Sequence, residues 1–429
     1  MLHQKRKIWA WCLYDLACSA FPIIVITFIF ATYFTRKVAA NEIMGTYQWS
    51  RAMAVASLLI AILSPFFGSI ADHSGGHKRW LFLFTLICVM ASASLWYVYP
   101  GTSSVPLMLT CVVIGTISAE MAIVFYNSFL PHIAPATYLG RISGWAWGLG
   151  YWGGIAALSI VLFGFIKVPP AWINTITAEE VRICGPFTAI WFALFSLPLF
   201  LFIPDTPRNQ LPLRQAISVG LTDLLSTLKS LPQEKNLSLY LIAHLIYADG
   251  INTLLAFGGI YAAGTFHMTL AEVILFGICM NLSAGIGAIC FAWADDYFGS
   301  KCMIVFSLGC LFLFGIGILL TKTAFYFWLF GLTISLFFGP VQAASRTLMA
   351  RLSPVGKSTE MFGFYAFSGR VAAFTGPWLL GITTLYFHSQ RAGIATILIF
   401  FMVGGLLLCF VKEPRRTRAQ LKLAKANDD

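Results

Sequence analysis

Long apolar stretches separated by short polar connections dominate the chain from end to end. A helix needs about 20 mainly apolar residues to cross a bilayer, and these stretches have that length. The longest polar connection, residues 204–236, divides them into two sets. The pattern therefore predicts an all-α membrane protein with about twelve transmembrane helices. The predicted spans lie near 9–34, 48–70, 80–99, 105–130, 142–166, 186–203, 237–263, 269–293, 302–321, 324–348, 360–385 and 391–411.

The composition indicates that lipid is the main solvent. The chain is 59% hydrophobic and 10% charged, whereas a soluble domain has roughly 25% charged residues. The net charge of +11 is spread through short loops, so we do not predict nucleic-acid binding. The ten cysteines form no CxxC or Cys/His pattern, and we expect no disulfide framework, metal site or other cofactor.

The distribution of lysine and arginine predicts the orientation. Residues 5–7 are basic and precede an apolar stretch too long for a signal peptide, so this stretch is interpreted as the first membrane helix. Most other basic residues lie in connections on the same side, which places both termini in the cytoplasm. The short loops favour a bacterial plasma membrane. We predict an N-terminal six-helix bundle at 1–203, a cytoplasmic central loop at 204–236, a C-terminal six-helix bundle at 237–411 and a basic cytoplasmic tail at 412–429.

A weak repeat relates the two sets of helices. Asp72 after the second span and Asp295 after the eighth are each followed by a glycine four residues on and a lysine six residues on. Ten-residue segments ending in Pro135 and Pro354 follow the fourth and tenth spans. Because matching loops fall on the same side, the repeat is parallel, as in bundles that rock around a central site. The paired residues are Gly76, Lys78, Gly299 and Lys301.

The loop after the second span resembles the signature of the major facilitator superfamily, roughly GxxxDxxGxxKR. Its arginine positions are His73 and Gly76 here. The resemblance implies two six-helix bundles related by a parallel pseudo-repeat. It also implies a gating contact, in which an aspartate at a helix end binds a neighbouring helix terminus or cation. The alternative is a topogenic loop with solvated charges. The matching residues are Gly68, Asp72, Gly75, Lys78 and Arg79, with a reduced second copy at Asp295, Gly299 and Lys301.

A narrower resemblance concerns the vacuolar-effluxer-like branch, the relatives of the autophagy-related amino-acid effluxers. Residues 11–21 and 27–30 look like the opening of that branch. Cys18 stands where the branch would have Asn, and Arg370 where it would have a smaller or Lys-like residue. The resemblance implies efflux of small metabolites, amino acids first. Other similar segments are 247–253, 258–261, 339–346, 362–369 and 376–377.

Ionisable side chains within the spans mark candidate sites, since each costs about 2.5–3.5 kcal/mol to insert. Four stand out: Asp15, Glu120, Asp249 and Arg370, in the first, fourth, seventh and eleventh spans. The resemblance to the superfamily implies that the first, fourth, seventh and tenth helices line a cavity. The predicted cavity residues are Asp15, Glu120, Asn127, Asp249, Asn252, Gln342 and Arg370.

Asp249 is the leading candidate for a coupling-proton site, because it lies near the middle of its span. Gly250 and the polar pair at 252–253 favour a local helix break there. The alternative is a permanent structural pair with Arg370. Asp15 either binds a proton or a substrate ammonium group, or pairs with a helix terminus. Glu120 either faces the cavity or makes a structural hydrogen bond.

Arg370 either attracts a substrate carboxylate or serves as counter-ion to Asp249 or Glu120, because an unpaired arginine at this depth is costly. Acidic and basic partners in one cavity fit a zwitterionic substrate. The fifth span is rich in glycine, which favours close helix packing over an antiporter signature. The glycines that give this pattern are Gly144, Gly148, Gly150, Gly153 and Gly154.

The sequence contains no nucleotide-binding P-loop, so we predict secondary transport by alternating access. Amino acids or similar metabolites are the leading substrates, with protons as the coupling ion. A drug or siderophore exporter or importer is the alternative, and a non-transporting receptor the next. No nucleophile–base pair or metal cluster supports an enzyme. The expected partners are the small-molecule substrate, protons and the lipid bilayer, with the chain acting as a monomer.

Overall fold

The computed structural model describes residues 2–167, 169–205 and 211–414, and within them every regular element is helical. The all-α prediction is therefore confirmed. Most of the predicted 412–429 tail lies outside the described residues. The α-helices are α1 Leu2–Cys18, α2 Ile29–Tyr33, α3 Glu42–Ser74, α4 His77–Ser94, α5 Val105–Ser128, α6 Leu130–Ile133, α7 Leu139–Val161, α8 Glu179–Arg182, α9 Cys184–Phe202, α10 Leu213–Ser230, α11 Lys235–Phe266, α12 Leu270–Cys290, α13 Ala292–Phe298, α14 Ser300–Leu320, α15 Ala324–Leu352, α16 Ser358–Val371, α17 Thr375–Phe387 and α18 Gln390–Cys409.

Among the described residues, 11 helical runs are long and apolar enough to cross a membrane. The first runs from Gln4 to Val38 and is built from α1 and α2 joined by π-helical turns at Pro22–Phe28 and Phe34–Val38. It begins earlier and ends later than the predicted 9–34. Short polar connections join the runs, because backbone without a partner is tolerated only outside the hydrocarbon.

The predicted span at 360–385 is not a single helix. It is divided into α16 and α17, and residues 372–374 form the turn between them. Pro377 follows the turn and has no N–H to continue the preceding helix. The break expected beside Gly250 is wrong, because α11 is continuous through that point. The interruption lies in the eleventh predicted span, against which α11 packs.

The central connection contains a helix that we did not predict, α10. Its Gly220 backbone lies against α3, where Ser69 Oγ donates to Gly220 O at 2.9 Å. Asp223 on the same helix binds Lys357 Nζ at 2.9 Å. This hydrogen bond from Lys357 lowers the pKa of the Asp223 carboxyl below its usual range. The helix thus contacts the second predicted span and Lys357, the residue before α16.

We call residues 2–205 the N-terminal half and residues 235–414 the C-terminal half. The end of the bundle that carries 72–79, 134–139, 295–301 and 353–358 is called the basic end. Contacts between α3 and α16, and of α7 with α12, α13 and α15, join the two halves. The named contacts below involve the parts of these helices nearest the basic end, so the halves are closed on each other there.

Candidate functional site

Glycines allow the two halves to approach closely at the basic end. A methyl group on Gly68 of α3 would lie 2.5 Å from Thr359 O of α16. A methyl group on Gly144 of α7 would lie 2.5 Å from Ala288 O of α12. Both neighbours are backbone atoms and have little freedom to move. The glycine-rich fifth span therefore makes close helix contacts, as its sequence favoured, and Gly144 and Gly148 make them with the opposite half.

Asp72, at the end of α3, holds the start of α16 in the opposite half. Its carboxylate accepts from the backbone N–H groups of Thr359 at 3.2 Å and Glu360 at 2.8 Å. These N–H groups belong to the first turn of α16, which has no intrahelical acceptors for them. The positive end of the helix dipole adds to the attraction. His77 Nε2 lies 3.0 Å from the same carboxylate.

The corresponding contact in the C-terminal half uses Asp296, not the predicted Asp295. Asp296 accepts from the backbone N–H groups of Gly140 at 2.8 Å and Arg141 at 3.0 Å, at the start of α7. Asp295 instead accepts from Ser300 Oγ at 2.6 Å and contacts Arg351 at 3.4 Å. The repeat predicted Asp295 because it lies at the same distance from the following glycine and lysine as Asp72 does. In the structure, the neighbouring Asp296 faces the start of α7.

Lys78 and Lys301 make matching contacts, one within each half. Lys78 Nζ donates to Ile203 O at 2.6 Å, and Lys301 Nζ donates to Cys409 O at 2.6 Å. Their backbone N–H groups donate to acidic side chains, Asp205 at 2.9 Å and Glu413 at 3.0 Å. The structure thus repeats the same arrangement in both halves, in agreement with the predicted parallel repeat.

The other motif residues shape these connections. Gly75 follows α3 with a φ of 66°, and Gly299 precedes α14 with a φ of 97°. Both values favour glycine, since other residues rarely adopt them. Arg79 lies in the first turn of α4, where its backbone N–H donates to Gly76 O at 2.9 Å.

The principal polar contact between the halves involves Arg346, which lies near the end of the predicted 324–348 span. The structure places it within α15, with 2% of the residue exposed. Its guanidinium binds Asp15 Oδ2 at 2.8 Å, Ser143 O at 2.7 Å and Ser143 Oγ at 2.9 Å. Asn127 Oδ1 lies 3.4 Å away. Asp15 is therefore an ion-pair partner across the halves, and Asn127 faces the same cation.

Aromatic rings complete the surroundings of Arg346. Its guanidinium carbon lies 4.8 Å from the ring centroid of Trp11, 5.6 Å from Trp147 and 5.7 Å from Tyr126. Such distances allow cation–π attraction, which strengthens when water is excluded. We call Asp15, Asn127 and Ser143 together with these three rings the arginine pocket. In the sequence, the position of a charged residue within the predicted 324–348 span was the indication that Arg346 belongs to a buried site.

A second ion pair joins the halves farther from the basic end. Arg370 of α16 forms a salt bridge with Glu120 of α5, and their side chains are 34% and 24% exposed. Glu120 precedes Asn127 by two turns on α5, about 10 Å along the axis. Of the predicted alternatives for Arg370, the structure shows the pair with Glu120, and the pair with Asp249 is wrong.

Gln342 and Asn252 differ in their surroundings. Gln342 of α15 accepts from Tyr151 OH of α7 at 2.5 Å, which is another bond between the halves. Asn252 of α11 is exposed. Among the described residues, the bonds of Gln342 and Arg370 are the polar contacts between the halves that lie farthest from the basic end.

Asp249 does not share a site with the ion pairs. It is 2% exposed, and its Oδ2 accepts from the Gly376 N–H at 2.8 Å, at the start of α17. Its Oδ1 has no hydrogen-bond partner among the described residues, and neither has the buried Thr253 Oγ1. Asp249 therefore binds the first turn of α17, which follows the break between α16 and α17.

Within the described residues, no group of three or more His, Cys, Asp or Glu side chains is placed to bind a metal ion.

The fold matches that of known transporters. Over 98% of its length, the chain superposes on the major facilitator superfamily proton:xylose symporter XylE, covering 98% of that chain, with a TM-score of 0.76 at 14% identity. It is 25% identical to a Bacillus subtilis MFS-type transporter, YxiO, over 95% of both chains. It is 22% identical to autophagy-related protein 22 of Cryptococcus neoformans, over 66% of this chain and 52% of that one.

These findings define a multi-pass membrane transporter of the major facilitator superfamily. The family model of the vacuole effluxer Atg22-like proteins matches residues 49–421. The chain therefore belongs to the vacuole effluxer Atg22-like family.

Proposed function

We propose that this protein is a secondary active transporter that exports a small zwitterionic solute, amino acids first, from the cytoplasm. The observation that carries the proposal is the Glu120–Arg370 ion pair. The pair places a carboxylate from one half opposite a guanidinium from the other, and both side chains are accessible. A solute with an ammonium and a carboxylate group offers each of them a replacement partner.

The arrangement of contacts supports alternating access. The halves are joined near the basic end by Arg346 and by the helix-start contacts of Asp72 and Asp296. If the basic end faces the cytoplasm, as its lysine and arginine content favours, this is the state closed to the cytoplasm. Rocking the halves about the Glu120–Arg370 pair would open the basic end and close the opposite one.

The remaining parts of the proposal concern coupling and location. XylE is a proton symporter, which makes the proton the first coupling ion to test. We place the protein in a bacterial plasma membrane, with both termini cytoplasmic, working as a monomer. Asp249 is the proposed proton acceptor, because a buried carboxylate without a cation partner is costly and a proton removes its charge.

Replacing Arg370 with Gln or Glu120 with Gln is expected to reduce amino-acid flux by about 30-fold or more. A hydrogen bond between charged groups contributes about 2 kcal/mol, and 1.4 kcal/mol corresponds to about tenfold. Flux is measured as exchange of labelled amino acids in proteoliposomes that hold the purified protein.

Arg51→Gln is the matched control, because Arg51 is exposed and its guanidinium donates to Tyr47 OH at 3.4 Å on the same helix. Normal flux in R370Q and E120Q would contradict the proposed binding site. Flux that is absent from folded wild-type protein would exclude amino acids and favour a drug or siderophore as the substrate.

Asp249→Asn is expected to abolish uphill transport driven by a proton gradient while exchange at equal concentrations continues. Asparagine can still accept from the Gly376 N–H, but it cannot take up a proton, so the anchor remains and the coupling is lost. The measurement compares accumulation with and without a pH gradient in proteoliposomes.

Glu42→Gln is the control for this change, because Glu42 is an exposed carboxylate near Arg36. Accumulation that follows the gradient equally in D249N and wild type would remove Asp249 from the coupling mechanism.

A further inference from the structure

Arg346 lies in a pocket that belongs to the opposite half. The residue is part of α15, whereas its ion-pair partner and its cation–π rings are all in the N-terminal half. When the halves separate at the basic end, the guanidinium has to leave with α15. The arginine pocket then remains in the N-terminal half without its cation.

The empty pocket would have a defined chemical preference. The Asp15 carboxylate supplies a full negative charge, and the Ser143 carbonyl and hydroxyl oxygens and Asn127 Oδ1 supply further acceptors. A guanidinium has five N–H donors in a planar fork and no acceptor, which matches this set. The three rings favour a weakly hydrated, flat cation. The Asp15 side chain is 13% exposed in the closed state, and a cation that replaces Arg346 restores its ion pair.

We propose that the arginine pocket is a binding site for the guanidinium group of a solute that enters from the basic end. Arg346 and the solute occupy it in turn. This inference rests on the proposed alternating-access transport and names the class of solute, a compound that carries a guanidinium, such as arginine itself. Arginine also carries the zwitterion that the Glu120–Arg370 pair would accept.

Because Arg346 and the solute's guanidinium cannot occupy the arginine pocket at the same time, Arg346 takes part in translocation. Closure of the basic end returns Arg346 to the pocket and displaces the solute's cation. The next acidic group along α5 is Glu120, about 10 Å farther from the basic end. The displaced guanidinium therefore moves toward the Glu120 carboxylate, on the path away from the basic end.

The test is equilibrium binding to purified full-length R346A, with ethylguanidinium as the probe. Removal of the Arg346 side chain leaves the pocket open in every state. We expect ethylguanidinium to raise the thermal unfolding temperature of R346A in a saturable way. The apparent affinity should fall about tenfold or more in R346A/D15N, because the charged acceptor is lost. Arg51→Ala serves as the matched control, since it removes an exposed arginine.

Two results would overturn the inference. One is an equal response of R346A, R346A/D15N and Arg51→Ala to the probe. The other is an equal response of R346A to ethylammonium, which would show a site for any cation. If R346A does not fold, the same titration uses Gly68→Leu with and without Asp15→Asn, since a leucine there prevents closure of the basic end. Because no flux is measured, a failure here is distinct from a failure of the proposed transport function.

Discussion

Leucine at position 68 is expected to lower transport by at least about tenfold while the protein still folds. A Cβ at this position would lie 2.5 Å from Thr359 O and 3.0 Å from the Glu360 Cα, so backbone atoms of α16 would have to move. Overpacking of this kind costs about 1–3 kcal/mol or more. The cost falls only on the state in which α3 and α16 touch, so the variant favours the state that is open at the basic end.

Flux in proteoliposomes and alkylation of a cysteine introduced at Ala292 measure this effect. Ala292 is 3% exposed and lies against Gly144 in the closed state. Alkylation there should be faster in G68L than in the parent. Gly309→Leu is the matched control, because a side chain at Gly309 meets nothing within 4 Å. Equal flux in G68L and G309L would show that closure of α3 on α16 is not part of the transport cycle.

Asparagine at position 15 is expected to shift the protein strongly away from the closed state. Arg346 is almost completely buried, and D15N leaves its charge without a carboxylate. Breaking a buried pair in this way costs about 3–5 kcal/mol. A change of about 5.5 kcal/mol moves a two-state equilibrium from 1:99 to 99:1. The expected readouts are loss of flux and rapid alkylation of the cysteine at Ala292.

The double variant D15N/R346Q supplies the control for the Asp15 change. It removes both charges, so the penalty for an unpaired buried cation disappears and the alkylation rate should fall back toward that of the parent. If the double variant is as open as D15N alone, the opening comes from loss of the contacts between Asp15 and Arg346 and not from an unpaired buried cation.

The apolar stretches were sufficient to predict the membrane helices, because the length needed to cross a bilayer leaves few alternatives. The repeat of Asp72 and Lys78 at Asp295 and Lys301 also located the connections that meet at the basic end. The choice between Asp295 and Asp296 could not be made from spacing. It depends on which carboxylate faces the start of α7, and adjacent helical residues point in different directions.

The roles of Arg346 and of α10 were not predicted, although the sequence contains an indication of each. Arg346 lies within the predicted 324–348 span, but its partner Asp15 is 331 positions away in the chain, so spacing could not pair the two residues. The α10 helix has apolar residues at helical spacing, from Ile217 through Leu221 to Leu228. It does not form an apolar run in the sequence, because an amphipathic helix has a polar face and a low mean hydropathy.

The helix break shows what sequence reasoning could not decide. Gly250 with its polar neighbours and Gly376 with Pro377 both favour an interruption. Only the three-dimensional arrangement shows that α11 stays intact and that Asp249 binds the N–H of Gly376 at the start of α17. The carboxylate predicted to lie beside a break thus stabilises a break in a neighbouring segment.

The contacts of Asp72 and Asp296 are reciprocal: each half contributes one carboxylate and one helix start. If each half moves as one body, as the proposed alternating access requires, neither contact can be released fully while the other remains intact. Opening of the basic end should therefore be an all-or-none event, with few molecules caught partly open. A pathway that is never open at both ends at once would limit the leakage of water and ions across the membrane.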